Sequence, residues 1–136
     1  MNRYLLDTNV ISEVRKPKPH GAVVEWLSGL ASEQMFISAV TLGEIQSGIE
    51  RTRLQDAKKA QEIEAWVNQL AGSCAVLAMD AACFREWGRL REGKPERLAE
   101  DAMIAATAIV HGLTLATRNE RDFRSFRVKV FNPFKN

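Results

Sequence analysis

Near its N-terminus the chain carries Tyr4-Leu5-Leu6-Asp7-Thr8-Asn9, a short apolar run that stops abruptly at three polar residues. Such a run predicts a buried β-strand, and Val10, Ile11 and Val14 behind it have the spacing of a helix. Asp7 is thereby placed at the carboxyl end of a strand, where open α/β sheets keep their functional sites. Taken alone, Asp7 is explained more simply as the N-cap of the following helix.

Strands and helices alternate along the rest of the chain. Short apolar runs predict strands, and amphipathic segments between them predict helices. We expect further strands at 35–37, 75–78, 113–116 and 128–131, the last at a sheet edge, and helices around 23–30, after Ser38, at 54–72, between Asp80 and Gly93, and at about 98–111. Helices of ten or more residues between strands indicate a parallel sheet covered on both faces. The expected fold is a single α/β domain, residues 1–136, with three layers and a mainly parallel sheet of about four to five strands.

Composition limits the class of protein. The chain has 136 residues, of which 46% are hydrophobic and 26% charged, enough for one core and not for two domains. Its longest uncharged apolar stretch, 102–110, is far shorter than the roughly 20 residues of a membrane span, and Asp7 interrupts any signal peptide. We therefore expect a cytoplasmic protein. Cys74 and Cys83 have neither metal-ligand nor redox spacing and are predicted to be buried, reduced thiols.

Four acidic residues fall near predicted strand ends or helix starts. They are Asp7, Glu44, Asp101 and Asp122. Simpler explanations exist for each: Glu44 could close a capping box with Thr41, and Asp101 could face the positive end of a helix dipole. An α/β layout nevertheless brings all four to one edge of the sheet, and that coincidence favours a shared site.

Crowded carboxylates predict a bound cation. Ionised carboxylates about 6 Å apart repel by about 3 kcal/mol per pair, so six pairs would exceed the roughly 5 to 15 kcal/mol that holds a domain folded. A bound cation or raised pKa values must relieve that repulsion. Oxygen ligands without His or Cys select Mg²⁺ or Mn²⁺, and His20 and His111 are given no role. Such a site suits metal-dependent hydrolysis of phosphodiesters.

The charge of the chain is only weakly informative about nucleic acid. A net charge of +2 does not by itself indicate binding. Basic residues are concentrated near the C-terminus, however, where Arg118, Arg121 and Arg124 could face phosphates. A solvated surface is the commoner explanation of such a run.

Four stretches resemble the motifs of PIN domains, and most closely those of the VapC and FitB group of toxin–antitoxin ribonucleases. They are residues 6–12, 38–45, 101–106 and 116–119 with 122–123. The resemblance covers nearly the whole chain, in the order that the family has.

This resemblance implies a dimeric endoribonuclease that depends on Mg²⁺ or Mn²⁺, acts on RNA and is held inactive by a small antitoxin, the complex of the two binding operator DNA. It implies that the acidic site is Asp7, Glu44, Asp101 and Asp122, with Asn9 and Thr117 as supporting polar residues. Asn119 stands where many relatives have an acid, so at most it supports the site as an outer ligand or hydrogen-bonding group.

Two other functions remain open from the sequence. A phosphoacceptor receiver domain would use Asp80, but Asp7 lacks the adjacent acid and Thr117 is followed by Arg118 rather than the expected lysine. An inactive PIN scaffold that only binds RNA or protein is the second alternative, and the presence of all four acids disfavours it.

Overall fold

The computed structural model describes residues 1–135, in which five strands alternate with seven α-helices. In chain order the elements are β1 Tyr4–Leu6, α1 Thr8–Glu13, α2 Gly21–Ser28, β2 Met35–Ser38, α3 Ala39–Arg53, α4 Ala57–Ser73, β3 Ala75–Leu77, α5 Ala81–Arg91, α6 Ala99–His111, β4 Thr114–Ala116, α7 Glu120–Arg124 and β5 Val130–Phe131.

The strands form one parallel sheet in the order β3-β2-β1-β4-β5. The predicted α/β fold with a parallel sheet is therefore confirmed, and β5 lies at an edge as expected. The first strand is central, with Leu5 paired to Phe36 of β2 and to Leu115 of β4.

Two neighbouring leucines of β1 divide the core between the faces of the sheet, because successive side chains of a strand point to opposite sides. Leu5 belongs to a cluster with Ala105 and Ile104 of α6, whereas Leu6 belongs to a second cluster with Val10 of α1. Helices thus cover both faces, which gives three layers. The interior of α6 is rich in buried alanine, so this helix can lie close to the sheet.

Several boundaries differ from the sequence prediction. The helix predicted at 54–72 is interrupted at its start: α3 continues to Arg53, and α4 begins only after Asp56, whose Oδ1 accepts a 3.0 Å hydrogen bond from Lys59 N. Leu54 lies in the intervening turn and is 87% exposed. Amphipathic spacing does not reveal such a short break, since both helices bury apolar faces. The last strand is shorter than predicted, and α7 has only five residues, too few for a periodic pattern.

Both cysteines are free, Cys83 buried and Cys74 partly buried, as the sequence predicted. In the described part of the chain, no helix has the length and apolar character that crossing a membrane requires.

Candidate active site

The site lies where the strand order changes direction. Crossovers from β1 lead through β2 to β3 on one side, whereas β4 and β5 lie on the other side of β1. Ligand sites of open α/β sheets form at such a switch point, beyond the carboxyl ends of the strands. Asp7 follows β1 and Thr117 follows β4, so both residues stand at this point.

Asp7 both caps α1 and faces the end of β4. Its Oδ1 accepts a 2.9 Å hydrogen bond from Thr8 N, as a capping residue does. Its Oδ2 accepts a 2.7 Å bond from Thr117 Oγ1 and a 3.2 Å bond from Asn9 Nδ2. Burial raises the pKa of Asp7, and these three hydrogen bonds oppose the rise. The capping role predicted for Asp7 is therefore real, and it occupies only one of the two carboxylate oxygens.

Asn9 and Thr117 tie the loop after β4 to Asp7. Asn9 Oδ1 accepts a 3.1 Å hydrogen bond from Arg118 N, and Asn9 Nδ2 also lies 3.3 Å from Thr117 Oγ1. Thr117 Oγ1 in turn accepts a 3.0 Å bond from Asn119 N. The polar residues named from the sequence thus form one continuous network around one carboxylate oxygen.

Glu44 projects from α3 and is half-buried. Ser38 is the N-cap of α3, with Oγ accepting from Val40 N at 3.1 Å, and Thr41 lies inside the helix. The capping-box explanation of Glu44 is therefore wrong. Glu44 Oε1 is buried without a hydrogen-bond partner among the described residues. Burial raises the pKa of Glu44 to about 7, with the negative charges of Glu100, Asp7 and Asp101 adding to the rise.

Asp101 is half-buried in the first turn of α6. Burial raises its pKa to about 6, and the charges of Asp7, Asp122 and Glu100 contribute, against an opposing effect of Arg97. The mutual effect of these charges shows that Asp7, Glu44 and Asp101 share one electrostatic environment. The sheet edge has brought together acids that are up to 94 positions apart in the sequence, counting from 7 to 101.

Asp122 is held differently from the other three acids. Asn119 Nδ2 donates a 3.1 Å hydrogen bond to its Oδ2, and Arg97 Nη1 lies 3.3 Å from its Oδ1. These contacts, with Asn119 first, keep the pKa of Asp122 below its ordinary value. Asn119 therefore positions Asp122 through a side-chain contact, which fits the outer role expected from the sequence.

The acids fit a hard divalent cation. Within residues 1–135 no three His, Cys, Asp or Glu side chains converge as a ready-made ligand set. Mg²⁺ does not require one, because it commonly takes one or two carboxylates and keeps several waters. The unpartnered Glu44 Oε1 and the raised pKa values of Glu44 and Asp101 mark a place where a cation would relieve carboxylate repulsion.

Two polar cavities flank the acids. One, of about 340 Å³, is lined by Thr8, Glu44, Ser47, Arg51 and Glu100. The other, of about 490 Å³, is basic and is lined by residues of the β4 to α7 loop, α7 and the C-terminal segment: Arg118, Asn119, Glu120, Arg121, Arg124, Asn132, Phe134 and Lys135. The three arginines named from the sequence thus face one cavity.

The PIN domain family matches residues 4–129 of the chain. The chain belongs to the PIN-domain family. It is 38% identical over 140 residues to toxin FitB of Neisseria gonorrhoeae (strain ATCC 700825 / FA 1090), with 96% of this chain and 97% of FitB covered. It is 34% identical over 143 residues to VapC ribonuclease Y4jK of Sinorhizobium fredii (strain NBRC 101917 / NGR234), with 96% and 97% covered. The solved structure of FitAB bound to an IR36 DNA fragment superposes with a TM-score of 0.82 at 36% identity, covering 98% of this chain and 96% of that one.

The chain is thus a PIN-domain toxin of the VapC and FitB group, as the resemblance of its motifs implied. The receiver-domain alternative is wrong. Asp80 follows β3, an outer strand of the sheet two positions away from β1, and its Oδ1 caps α5 by accepting a 3.0 Å bond from Cys83 N.

Sequence reasoning missed several residues around this candidate site. Glu100 directly precedes Asp101 in the first turn of α6, whereas Arg97 lies before that helix and gave no periodic signal. Ser47 and Arg51 follow Glu44 at i+3 and i+7, which places them on one helical face. That spacing was the available signal. Phe134 gave none, because its approach to the site depends on how the chain folds back after β5.

Proposed function

We propose that the protein is an endoribonuclease dependent on Mg²⁺ or Mn²⁺, acting as the toxin of a type II toxin–antitoxin pair in the cytoplasm. Its active site comprises Asp7, Glu44, Asp101 and Asp122. The observation that carries this proposal is the position of Asp7, Glu44 and Asp101 at the switch point of a PIN-domain sheet, buried or half-buried and with Glu44 Oε1 unpartnered among the described residues, so that burial raises the pKa of all three. Such crowding disfavours the metal-free protein and is expected where a cation binds.

Asp7 and Asp101 would hold the ion, and Glu44 and Asp122 would complete its surroundings directly or through water. When bound, Mg²⁺ or Mn²⁺ supplies an activated water and neutralises charge developing on the phosphodiester. The chemistry of the donor set supports this choice, since all the available ligands are carboxylate oxygens.

The chain's own residues prepare the site in three ways. Thr117 and Asn9 fix one oxygen of Asp7, and Asn119 with Arg97 fixes Asp122. Glu44 has a free acceptor atom and a pKa of about 7. A carboxylate with these properties is suited to take a proton from the attacking water at neutral pH.

Arg118, Arg121 and Arg124 would bind the RNA backbone. All three are exposed and line the basic cavity beside Asp122. Because Lys and Arg contacts to phosphates release counterions, RNA binding at this cavity should depend strongly on salt.

The antitoxin would bind an apolar groove of about 340 Å³ that is lined by none of the four acids. It lies between α1, α2 and α4, and its lining is Leu6, Ile11, Val14, Val24, Leu27, Ser28, Met35, Leu70 and Cys74. Val14 and Val24 are 40% and 39% exposed at its rim. An exposed apolar groove of this kind suits an amphipathic helix of a partner. We further propose a homodimer, and contact with operator DNA only through the antitoxin complex, as the DNA-bound FitAB structure suggests by similarity.

The decisive experiment is cleavage of single-stranded RNA by the purified protein with Mg²⁺, with Mn²⁺ and with EDTA. We expect cleavage only with metal, and none by Asp101→Asn. Asp80→Asn is the matched control, because Asp80 also follows a strand and caps a helix, and Asn caps about as well as Asp. A folded wild-type protein that cleaves no RNA under these conditions would favour the inactive scaffold instead.

A further inference from the structure

The C-terminal segment folds back against the arginine that follows the site. The guanidinium carbon of Arg118 lies over the ring of Phe134, 4.3 Å from the ring centroid. The ring of His20 packs against Phe134 from another direction, with centroids 5.4 Å apart and an interplanar angle of 68°. Phe134 therefore contacts the side chains of both Arg118 and His20, and its ring face supports the guanidinium of Arg118.

This pair is tied to the acidic site by hydrogen bonds. Arg118 N donates to Asn9 Oδ1 at 3.1 Å, and Asn9 Nδ2 donates to Asp7 Oδ2 at 3.2 Å. The guanidinium thus belongs to a residue whose backbone is fixed two hydrogen bonds away from a proposed catalytic carboxylate. A group resting on Arg118 would be carried by a residue whose backbone is tied to the acidic site.

The basic cavity around Arg118 has room for a nucleobase. Its volume is about 490 Å³, within the range of small-molecule sites. Its uncharged and acidic side chains are already engaged: Asn119 binds Asp122, while Asn132 Nδ2 and Lys135 Nζ both contact Glu120 Oε2. Asn132 Oδ1 accepts from Phe134 N as well.

In the described residues, by contrast, Arg121 and Arg124 form no ion pair within 4.0 Å. The cavity therefore offers a supported guanidinium and two available cations, but few groups that could read the hydrogen-bonding edge of a base.

We propose that Arg118, supported by Phe134, is a stacking platform for one nucleobase of the RNA next to the cleaved phosphodiester, and that Phe134 is a positioning residue for substrate. This inference rests on the proposed ribonuclease activity. Bases stack on aromatic rings and on guanidinium planes, and every base offers a π-face. The platform detects the presence of a base rather than its identity, and Arg121 and Arg124 hold the neighbouring phosphates.

The test compares RNA oligonucleotides that carry a single abasic nucleotide at successive positions around the cleavage site. For the wild type, we expect one position at which loss of the base weakens binding and raises KM by about 5- to 150-fold, the range that stacking one base contributes. At that position kcat should change much less. Replacing one base by another there should have a far smaller effect than removing it.

Variants of Phe134 and Arg118 test whether this loss of binding, the abasic penalty, arises from the stacking platform. Phe134→Leu keeps an apolar side chain but loses the ring, and Arg118→Lys keeps the charge but loses the guanidinium, so either should reduce the abasic penalty to less than about twofold. Phe134→Trp should retain it. Phe131→Leu is the matched control, because Phe131 packs against Tyr4 and Trp26 outside the basic cavity, and should leave the penalty unchanged.

Binding measured in EDTA by fluorescence anisotropy keeps this inference separate from catalysis. If the wild type binds but does not cleave with metal, the proposed activity fails, and the same comparison in EDTA still decides the platform. An abasic penalty that is equal in wild type, Phe134→Leu and Arg118→Lys, or that appears at no position, would overturn it.

Discussion

Thr117 donates a 2.7 Å hydrogen bond from Oγ1 to Oδ2 of Asp7, although 110 residues of chain separate the two. Both residues are buried, with 0% and 6% of their surface exposed. Burial alone would favour the protonated acid, whereas a donated hydrogen bond favours the carboxylate. The hydroxyl therefore helps to keep Asp7 ionised, and so able to bind a cation, although the residue is buried.

Thr117→Val tests this relationship, because valine has nearly the same shape and no donor. We expect the pKa of Asp7 to rise, stability to fall by about 1 to 3 kcal/mol in urea unfolding, and RNA cleavage to fall strongly at neutral pH. Thr117→Ser keeps the hydroxyl and should remain close to wild type. Undiminished cleavage by the valine variant would show that the hydroxyl is not needed.

Two Asp→Asn replacements should have opposite effects on stability. In Asp7→Asn one carboxylate oxygen becomes an amide nitrogen, which cannot accept, so either Thr8 N or the donors of Thr117 and Asn9 lose their acceptor and we expect a loss of about 1 to 3 kcal/mol. Asp101 accepts no side-chain hydrogen bond among the described residues, and its replacement removes a like charge from the cluster. Asp101→Asn should therefore leave stability in EDTA unchanged or higher.

Both variants should lose the rise in melting temperature that Mg²⁺ gives the wild type, since a ligand stabilises the state that binds it. Differential scanning fluorimetry with and without Mg²⁺ measures this. If Mg²⁺ raises the melting temperature of wild type and variants equally, Asp7 and Asp101 do not bind the metal.

Those parts of the candidate site that follow directly from strand and helix order could be predicted from the sequence. Asp7, Glu44 and Asp101 could be placed because each stands just after a predicted strand end or helix start, and a parallel sheet gathers such positions at one edge. The side-chain contacts of Arg97 with Asp122 and of Arg118 with Phe134 could not be placed. They join segments whose separation is set by loops, and no periodic pattern encodes where a long side chain points.

The acidic cluster predicts an unusual dependence of stability on pH. A carboxyl group whose pKa is raised in the folded protein binds its proton more tightly there than in the unfolded chain. Its stabilising contribution is complete below pH 4.5, the ordinary pKa of glutamate, and is lost as the pH rises through the folded value of about 7 for Glu44. The metal-free protein should therefore lose stability between these pH values.

Glu44→Gln should flatten that decline and be more stable than wild type at pH 8 by about 1 to 2 kcal/mol, after allowance for partial solvent exposure. Urea unfolding in EDTA between pH 5 and 8 measures both effects. Glu96→Gln, at an acid whose side chain is 84% exposed, is the control and should follow the wild type. If stability changes with pH in the same way for wild type and Glu44→Gln, Glu44 is not crowded by the other acids.

The salt dependence of RNA binding should show which arginines contact the RNA backbone. Removing one cation that neutralises a phosphate of single-stranded RNA reduces the slope of log K against log salt by about 0.7, so Arg121→Ala with Arg124→Ala should flatten it by about 1.4. Binding should weaken to a similar degree for unrelated sequences. The double variant Arg85→Ala with Arg89→Ala removes the same charge from α5, outside the two polar cavities that flank the acids. If the α5 double variant flattens the slope as much as the Arg121 and Arg124 double variant, the effect comes from net charge and not from the basic cavity.

The apolar groove between α1, α2 and α4 should decide whether the toxin is neutralised. Val24 lies at its rim with 39% of its surface exposed, so Val24→Asp should leave the fold intact while placing a charge where an apolar helix face would pack. We expect expression of the wild-type protein alone to slow bacterial growth, and co-expression of the neighbouring antitoxin gene to restore normal growth. With Val24→Asp the antitoxin should no longer restore growth. When Val24→Asp is combined with Asp101→Asn, the antitoxin should no longer co-purify with the variant protein. Val110→Asp is the matched control, since Val110 is 38% exposed and lies outside the groove. Full rescue of the Val24→Asp protein would move the antitoxin to another surface.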